Sequence, residues 1–191
     1  MSRLLPGYIP PSEVPNGWEK LQLRDVALIV PGGTLGVTKG DYIASGVPAF
    51  SAAGQDGYVD IAEFHSPGVV LSSIGAHCGR CFRAEDAWTT LANTQAILPN
   101  LERVDHRFLF ARLNDKTYWE KLGSAQPFIK PSSVKESWIA LPPIEEQRRI
   151  AEVLDSIDKT IQAEEEKIGK LSKIRVGLAT DLLSGRLARY S

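Results

Sequence analysis

Hydrophobic and polar positions follow one rule up to Pro142-Pro143 and another beyond it. Before it, apolar runs are short and cut by Gly, Pro, Asn and Asp. Val47–Phe50, Gly68–Ser73, Cys81–Arg83, Gln95–Leu98 and Trp138–Leu141 read as strands bounded by turn residues. Within Asp105–Asn114, Phe108, Leu109, Ala111 and Leu113 fall at helical spacing, with Asp105 placed to cap the first turn. Beyond Pro143 there is no proline, and Ile150, Leu154, Ile157, Ile161, Glu164, Ile168, Leu171, Arg175, Leu178 and Leu182 step by four and three without a slip. That period predicts a coiled-coil seam on one long helix. Glu145 and Glu146 in the first turn and Arg186 in the last suit the helix dipole, and Gly185 can end the helix. The expected fold is a mixed α/β domain over 1–142 with several short strands, followed by a long coiled-coil helix over 143–191.

Two seam positions, Glu164 and Arg175, would bury a charge in a simple zipper. An antiparallel pairing of two copies, crossing between Gly169 and Lys170, resolves both. Glu164 then faces Arg175 of the second copy, Ile168 faces Leu171, Ile161 faces Leu178 and Ile157 faces Leu182. Gly169, which costs roughly 1 kcal/mol against Ala inside a helix, sits where the backbones cross. The expected dimer interface is therefore Ile150, Leu154, Ile157, Ile161, Glu164, Ile168, Gly169, Leu171, Arg175, Leu178 and Leu182. The alternative is a helix folded back on its own domain with both charges solvated.

The composition, 43% hydrophobic and 24% charged, is that of a globular protein. No apolar run reaches the roughly 18 residues of a membrane span, and the first residues lack an apolar signal core. With only Cys78 and Cys81 as cysteines, these features point to the cytoplasm. Net charge is −1, so the chain lacks the basic excess of a stand-alone nucleic-acid binder.

Catalytic patterns are missing. There is no Gly-rich S-adenosylmethionine loop and no P-loop. Leu-Pro-Pro-Ile at 141–144 lacks the polar residue and the aromatic that would hold a flipped adenine. The carboxylates of Glu164-Glu165-Glu166 fall on a periodic helix and read as a solvated face. His77, Cys78 and Cys81 supply at most three zinc ligands, with His65 or His106 left to complete a site. Buried structural thiols are the expectation, with no metal and no cofactor.

Leu141-Pro-Pro-Ile-Glu-Glu-Gln147 with Ile150-Ala151, Leu154 and Asp158 resembles the opening of the conserved region of type I restriction–modification specificity subunits. Leu182-Leu183-Ser184-Gly185-Arg186-Leu187 looks like the end of that helix. Pro15-Asn16-Gly17-Trp18-Glu19 and Gly123-Ser124-Ala125-Gln126 are similar to two further stretches of the family. The resemblance implies a non-catalytic DNA-binding subunit in half-length form, with one target-recognition domain and one spacer helix. Full-length members carry two of each, and their helices run antiparallel. It also implies as partners double-stranded DNA with a bipartite site, a second copy or another half-specificity chain, methyltransferase subunits that carry S-adenosylmethionine and methylate adenine, and restriction subunits.

Candidate DNA contacts are polar loop residues near basic ones: Lys39 with Tyr42; Ser72, Ser73, His77, Arg80 and Arg83; Asn93, Thr94 and Gln95; and Gln126, Lys130 and Ser132. Amides suit adenine edges and arginine suits guanine. Val153, Ile174, Val176 and Leu183 are apolar but off the seam, and are the candidate methyltransferase-binding face. The competing functional reading is a coiled-coil interaction protein that pairs with or blocks restriction–modification subunits without reading DNA. A small zinc or redox enzyme is a third.

Overall fold

A computed structural model describes residues 14–115 and 117–184. Nine strands and three helices follow in chain order: β1 (Glu19–Gln22), β2 (Ala27–Pro31), β3 (Val47–Ser51), β4 (Gly54–Val59), β5 (Gly68–Ser72), β6 (Cys81–Ala84), β7 (Thr89–Thr90), β8 (Thr94–Pro99), α1 (His106–Leu113), α2 (Pro131–Glu136), β9 (Trp138–Leu141) and α3 (Ile144–Leu183). The mixed α/β class, the short strands and the long C-terminal helix are as the sequence led us to expect. Each of the five strands and the capped helix read from the sequence is present, with ends shifted by at most one residue. The expected terminus at Gly185 and the cation at Arg186 lie outside the described residues.

The chain divides into two compact units, Met1–Ala151 and Glu152–Ser191. At the centre of the first is an antiparallel sheet in the order β2-β8-β5-β6. Side chains alternate across it. Val69, Leu71 and Ile97 enter a core with Phe108, Leu109 and Leu113 of α1 and Val134 of α2. Val70 and Ala96 turn the other way, toward Phe50 and Trp88. Phe50 belongs to a second sheet, ordered β4-β3-β7. Covered on both faces, β5 is buried at all five positions, which is why it reads as an unbroken apolar run rather than an alternation. Trp88 is fully buried, edge-on to Phe50 at 6.0 Å and tilted against Phe64 at 4.4 Å. Its indole N–H donates to the Ser66 carbonyl at 2.8 Å.

The start of α3 is built into this first unit. Gln147 is fully buried. Its Oε1 accepts from the Asp105 N–H at 2.9 Å, and its Nε2 donates to the carbonyls of Arg103 at 2.9 Å and Pro142 at 2.8 Å. Ala151 is buried and Ile150 packs on the same core. β1 pairs with β9, Glu19 opposite Leu141, and the Trp18 indole donates to Glu146 at 3.3 Å. Trp18-Glu19 and Leu141–Gln147, which the family pattern holds far apart in sequence, are thus one joint. This joint also explains why the compact unit runs to Ala151, although the composition changes at Pro142-Pro143. Ile150, read as the first seam residue, is partly buried and packs on its own unit's core.

In the second unit, the apolar seam residues from Leu154 to Leu182 are between 39% and 63% exposed. Gly169 has open space around the position of a side chain. Glu164 reaches Lys167 of its own helix at 3.5 Å, both largely exposed. Off the seam, Val153, Ile174, Val176 and Leu183 are all exposed.

Candidate nucleic-acid interface

β2 and β5 run in one direction and β6 and β8 in the other. One end of the central sheet therefore gathers the loops that follow β2 and β5 and those that precede β6 and β8. Backbone hydrogen bonds tie these loops together. Gly32 N–H donates to Thr94 O at 2.9 Å, and Ser73 N–H to Asn93 O at 2.9 Å. A fourth segment joins them: Leu122 and Phe128 exchange backbone hydrogen bonds at 2.9 Å, closing a small hairpin over Gly123-Ser124-Ala125-Gln126. Gly75 N–H donates to Pro127 O and Ile129 N–H to Ser73 O, both at 2.9 Å, so the hairpin is pinned to the loop after β5.

The structure sorts the candidate contacts into three groups. Ser72, Ser73, Thr94 and Gln95 are buried, so the expectation that their side chains lie on the loop surface is corrected. Thr94 Oγ1 donates to Leu91 O at 2.6 Å, and Gln95 Nε2 donates to Ile129 O at 3.1 Å, holding the hairpin from beneath.

His77, Arg80, Asn93, Gln126, Lys130 and Ser132 fall in or beside the gathered loops. All but the half-buried His77 are exposed. Asn93 has φ +68°, a left-handed conformation that Asn tolerates better than most residues. Arg80 lies 3.4 Å from His77 Nδ1 and 5.7 Å from the centre of the Phe82 ring, a cation–π distance that restricts the guanidinium.

The third group is placed elsewhere. Lys39 and Tyr42 both donate to Asp56 of β4, as does Ser51. Burial alone would raise the Asp56 pKa, but the hydrogen bonds from Lys39, Tyr42 and Ser51 and the nearby ammonium hold it below the ordinary carboxylate value. Burial and the same carboxylate push the Tyr42 phenol well above its usual range. Tyr42 lies where a side chain on Gly57 would otherwise be, 2.2 Å from that Cβ position, so Gly57 makes the cluster sterically possible. Arg83, on β6, pairs with Glu85 at 3.0 Å.

The two cysteines are buried. Cys78 Sγ contacts Ser73 O at 3.5 Å, and Cys81 Sγ contacts Leu113 O at 3.3 Å. Burial raises both thiols above their ordinary pKa, which keeps them protonated and unreactive. Among the described residues no group of three or more His, Cys, Asp or Glu could hold a metal.

The cations of the first unit differ in their charge pairing. Arg24, Lys39, Arg83, Arg103 and Arg107 each meet a carboxylate. Arg80, Lys121 and Lys130 are exposed and form no ion pair among the described residues. Sequence reasoning missed Lys121. Its signal was position: it immediately precedes the hairpin that carries Gly123-Ser124.

Residues 15–173 match the family profile described as the type I restriction modification DNA specificity domain. A putative type I restriction enzyme MjaX specificity subunit of Methanocaldococcus jannaschii is 25% identical, over 90% of this chain and 47% of its own length. A putative type I specificity subunit of Mycoplasma pneumoniae is also 25% identical, over 74% of this chain and 48% of its own. Among solved structures, a type I restriction–modification S subunit from M. genitalium superposes with a TM-score of 0.66 at 19% identity, covering 94% of this chain and 49% of that one. The HsdS subunit from Thermoanaerobacter tengcongensis gives 0.59 at 22% identity, over 81% and 41%. The chain spans about half the length of these relatives. With the profile matching most of its residues, the chain belongs to the type I restriction–modification DNA specificity family.

Proposed function

We propose that this chain is a non-catalytic, sequence-specific DNA-recognition subunit of a type I restriction–modification complex. Its N-terminal unit reads one half of a bipartite site with the gathered loops. Its helix pairs antiparallel with that of a second copy, or of another half-specificity chain, so that two units address two half-sites. Methyltransferase subunits, which carry S-adenosylmethionine, dock on the face with Val153, Ile174, Val176 and Leu183, and restriction subunits join the assembly. The site of action is the cytoplasm.

The observation that carries this reading is the loop end itself. It is a platform fixed by backbone hydrogen bonds, with outward polar side chains and exposed cations that form no ion pair among the described residues. Phosphates supply most of the affinity for DNA and base edges the selectivity, and this surface offers groups for both. The exposed seam supports the pairing: burying an Ile or Leu stabilises by roughly 1.5–3 kcal/mol, and seven such residues on each helix outweigh an association cost of roughly 4–15 kcal/mol. The register of Glu164 with Arg175 supports the antiparallel sense. At about 1.5 Å per residue, a 40-residue helix makes a ruler of about 60 Å, so the unread spacer is of fixed length.

Mapping methylated adenines in a host with this chain as its sole specificity protein and the methyltransferase present tests the reading. An interrupted palindrome with a constant spacer is expected, because two-fold protein symmetry is mirrored in the site. A continuous or asymmetric motif overturns the symmetric pairing. Absence of any sequence-specific methylation overturns DNA reading and leaves the chain as a partner-blocking protein.

A further inference from the structure

The exposed cations of the loop end do not all have the same surroundings. Lys121 and Lys130 flank the two legs of the 122–128 hairpin, and Arg80 lies in the turn between β5 and β6. A Cβ on Gly79 would sit 2.7 Å from Lys121 Cε and 3.0 Å from its Nζ. The lysine stem thus lies across the bare backbone of Gly79, whose φ of +89° itself favours glycine. Lys121 is thereby brought to the 77–80 turn. It lies near enough to Asp115 to favour that carboxylate, though more weakly than the carboxylate's hydrogen bonds to Thr117 do. The residues between the two lysine-bearing legs, Gly123-Ser124-Ala125-Gln126, are all exposed, small or polar, and carry no charge. Lys130 follows Ile129, whose N–H and carbonyl are both held from below by Ser73 and Gln95.

We infer that the hairpin with Lys121 and Lys130 grips the phosphodiester backbone of duplex DNA, while His77, Arg80 and Asn93 read base edges. The inference rests on the DNA-reading proposal above and divides its labour. An ammonium is a point charge with freely rotating donors, suited to a phosphate oxygen and poor at telling bases apart. The guanidinium of Arg80, oriented by Phe82 and His77, and the Asn93 amide on its fixed turn have the planar, directional donors that base reading requires. Ser124 and the backbone N–H groups of the hairpin tip add donors without adding sequence preference. The hairpin is pinned at 75–127, 73–129 and 122–128, so its two cations keep their spacing when DNA arrives.

The test uses the full chain with its methyltransferase subunits and two duplexes, one with the mapped site and one with that site scrambled. Affinity is measured across a range of salt. Replacing Lys121 and Lys130 by Ala should weaken both duplexes by a similar factor and reduce the slope of log K against log salt by about two, since each phosphate contact contributes about 0.9. Replacing both by Arg should keep the slope. Asn93→Ala should weaken the mapped duplex about 10-fold or more and leave the scrambled one and the salt slope unchanged. An unchanged slope in the double Ala variant, or a loss confined to the mapped duplex, overturns the division of labour. If the unaltered complex does not distinguish the two duplexes, the DNA-reading proposal itself falls.

Discussion

Trp88 and Ile168 are both large and apolar, yet Trp88 is 0% exposed and Ile168 61%. The first unit buries its own apolar surface between a four-stranded sheet, a three-stranded sheet and two short helices. Among the described residues the second is a single helix, with no layer of its own to bury anything against. A seam repeating every 3.5 residues along such a helix is a request for another helix. The first unit therefore carries its own core, while the second leaves exposed the seam that the proposed pairing would cover.

The sharpest way to break that comparison is at the centre of the seam. Ile168→Asp with Leu171→Asp places four carboxylates around the proposed crossing point. The paired form is expected to vanish in sedimentation at micromolar concentration, with the thermal transition of the first unit unchanged. A persistent dimer would show that the helices pair elsewhere. Trp88→Ala is the converse. It removes the ring wedged between Phe50 and Phe64, and a loss of about 3–5 kcal/mol in the unfolding free energy of the first unit is expected. Helicity of the seam is expected to remain.

Gln147→Ala probes the joint where the two regions become one chain. It leaves the Asp105 N–H and the carbonyls of Arg103 and Pro142 without their partner, with an expected cost of about 1–3 kcal/mol in urea unfolding. A cost within error of zero would mean that water replaces the amide. The smallest expected effect is at the α1 cap. Asp105 accepts from the N–H groups of Arg107 at 2.9 Å and Phe108 at 3.2 Å. Burial alone would raise its pKa, but the Arg107 side chain and these N–H groups hold it below the ordinary carboxylate value. Asp105→Ala is expected to cost about 0.5–2 kcal/mol. The folded pKa is depressed, so the ionic contribution is fully present above the unfolded value of about 3.9. It is lost as pH falls through the lower folded value. Asp105→Asn should keep the cap at neutral pH and flatten that acid-side loss in a pH series of melts.

These residues also show what could be read in advance. The α3 seam was legible because a single helix writes its period directly into the sequence. β5 and β8 were legible because burial on both faces leaves the short apolar runs Val69–Leu71 and Ala96–Leu98 between turns. β4, Gly54–Val59, was not. Its sequence Gly-Gln-Asp-Gly-Tyr-Val has no alternation, since its role is to place Asp56 and to leave room for Tyr42. β2 was missed although the run Val26–Val30 before Pro31 carried the signal. In the candidate interface, sequence reasoning mistook some of the loops' lining for their surface. Thr94 and Gln95 adjoin Asn93 and look equally polar, but a strand begins at Thr94 and turns both inward. Polarity along the chain does not distinguish an outward amide from one that holds a neighbouring loop. Lys121 was overlooked because its partner is an absence, the missing side chain of Gly79.

That division between inward and outward polar residues bears on how such a protein changes over generations. The loops keep their shape through Ser73 backbone groups and the buried side chains of Thr94 and Gln95. The outward side chains of Asn93, Gln126 and Ser132 contribute little to folding, and substitutions at such surface positions usually stay within about 0.5 kcal/mol of neutral. New combinations can therefore accumulate on an unaltered frame. If these loops read DNA as proposed, a lineage can acquire a different target without passing through an unfolded intermediate, and what is marked as self can be renewed while the marking machinery stays the same.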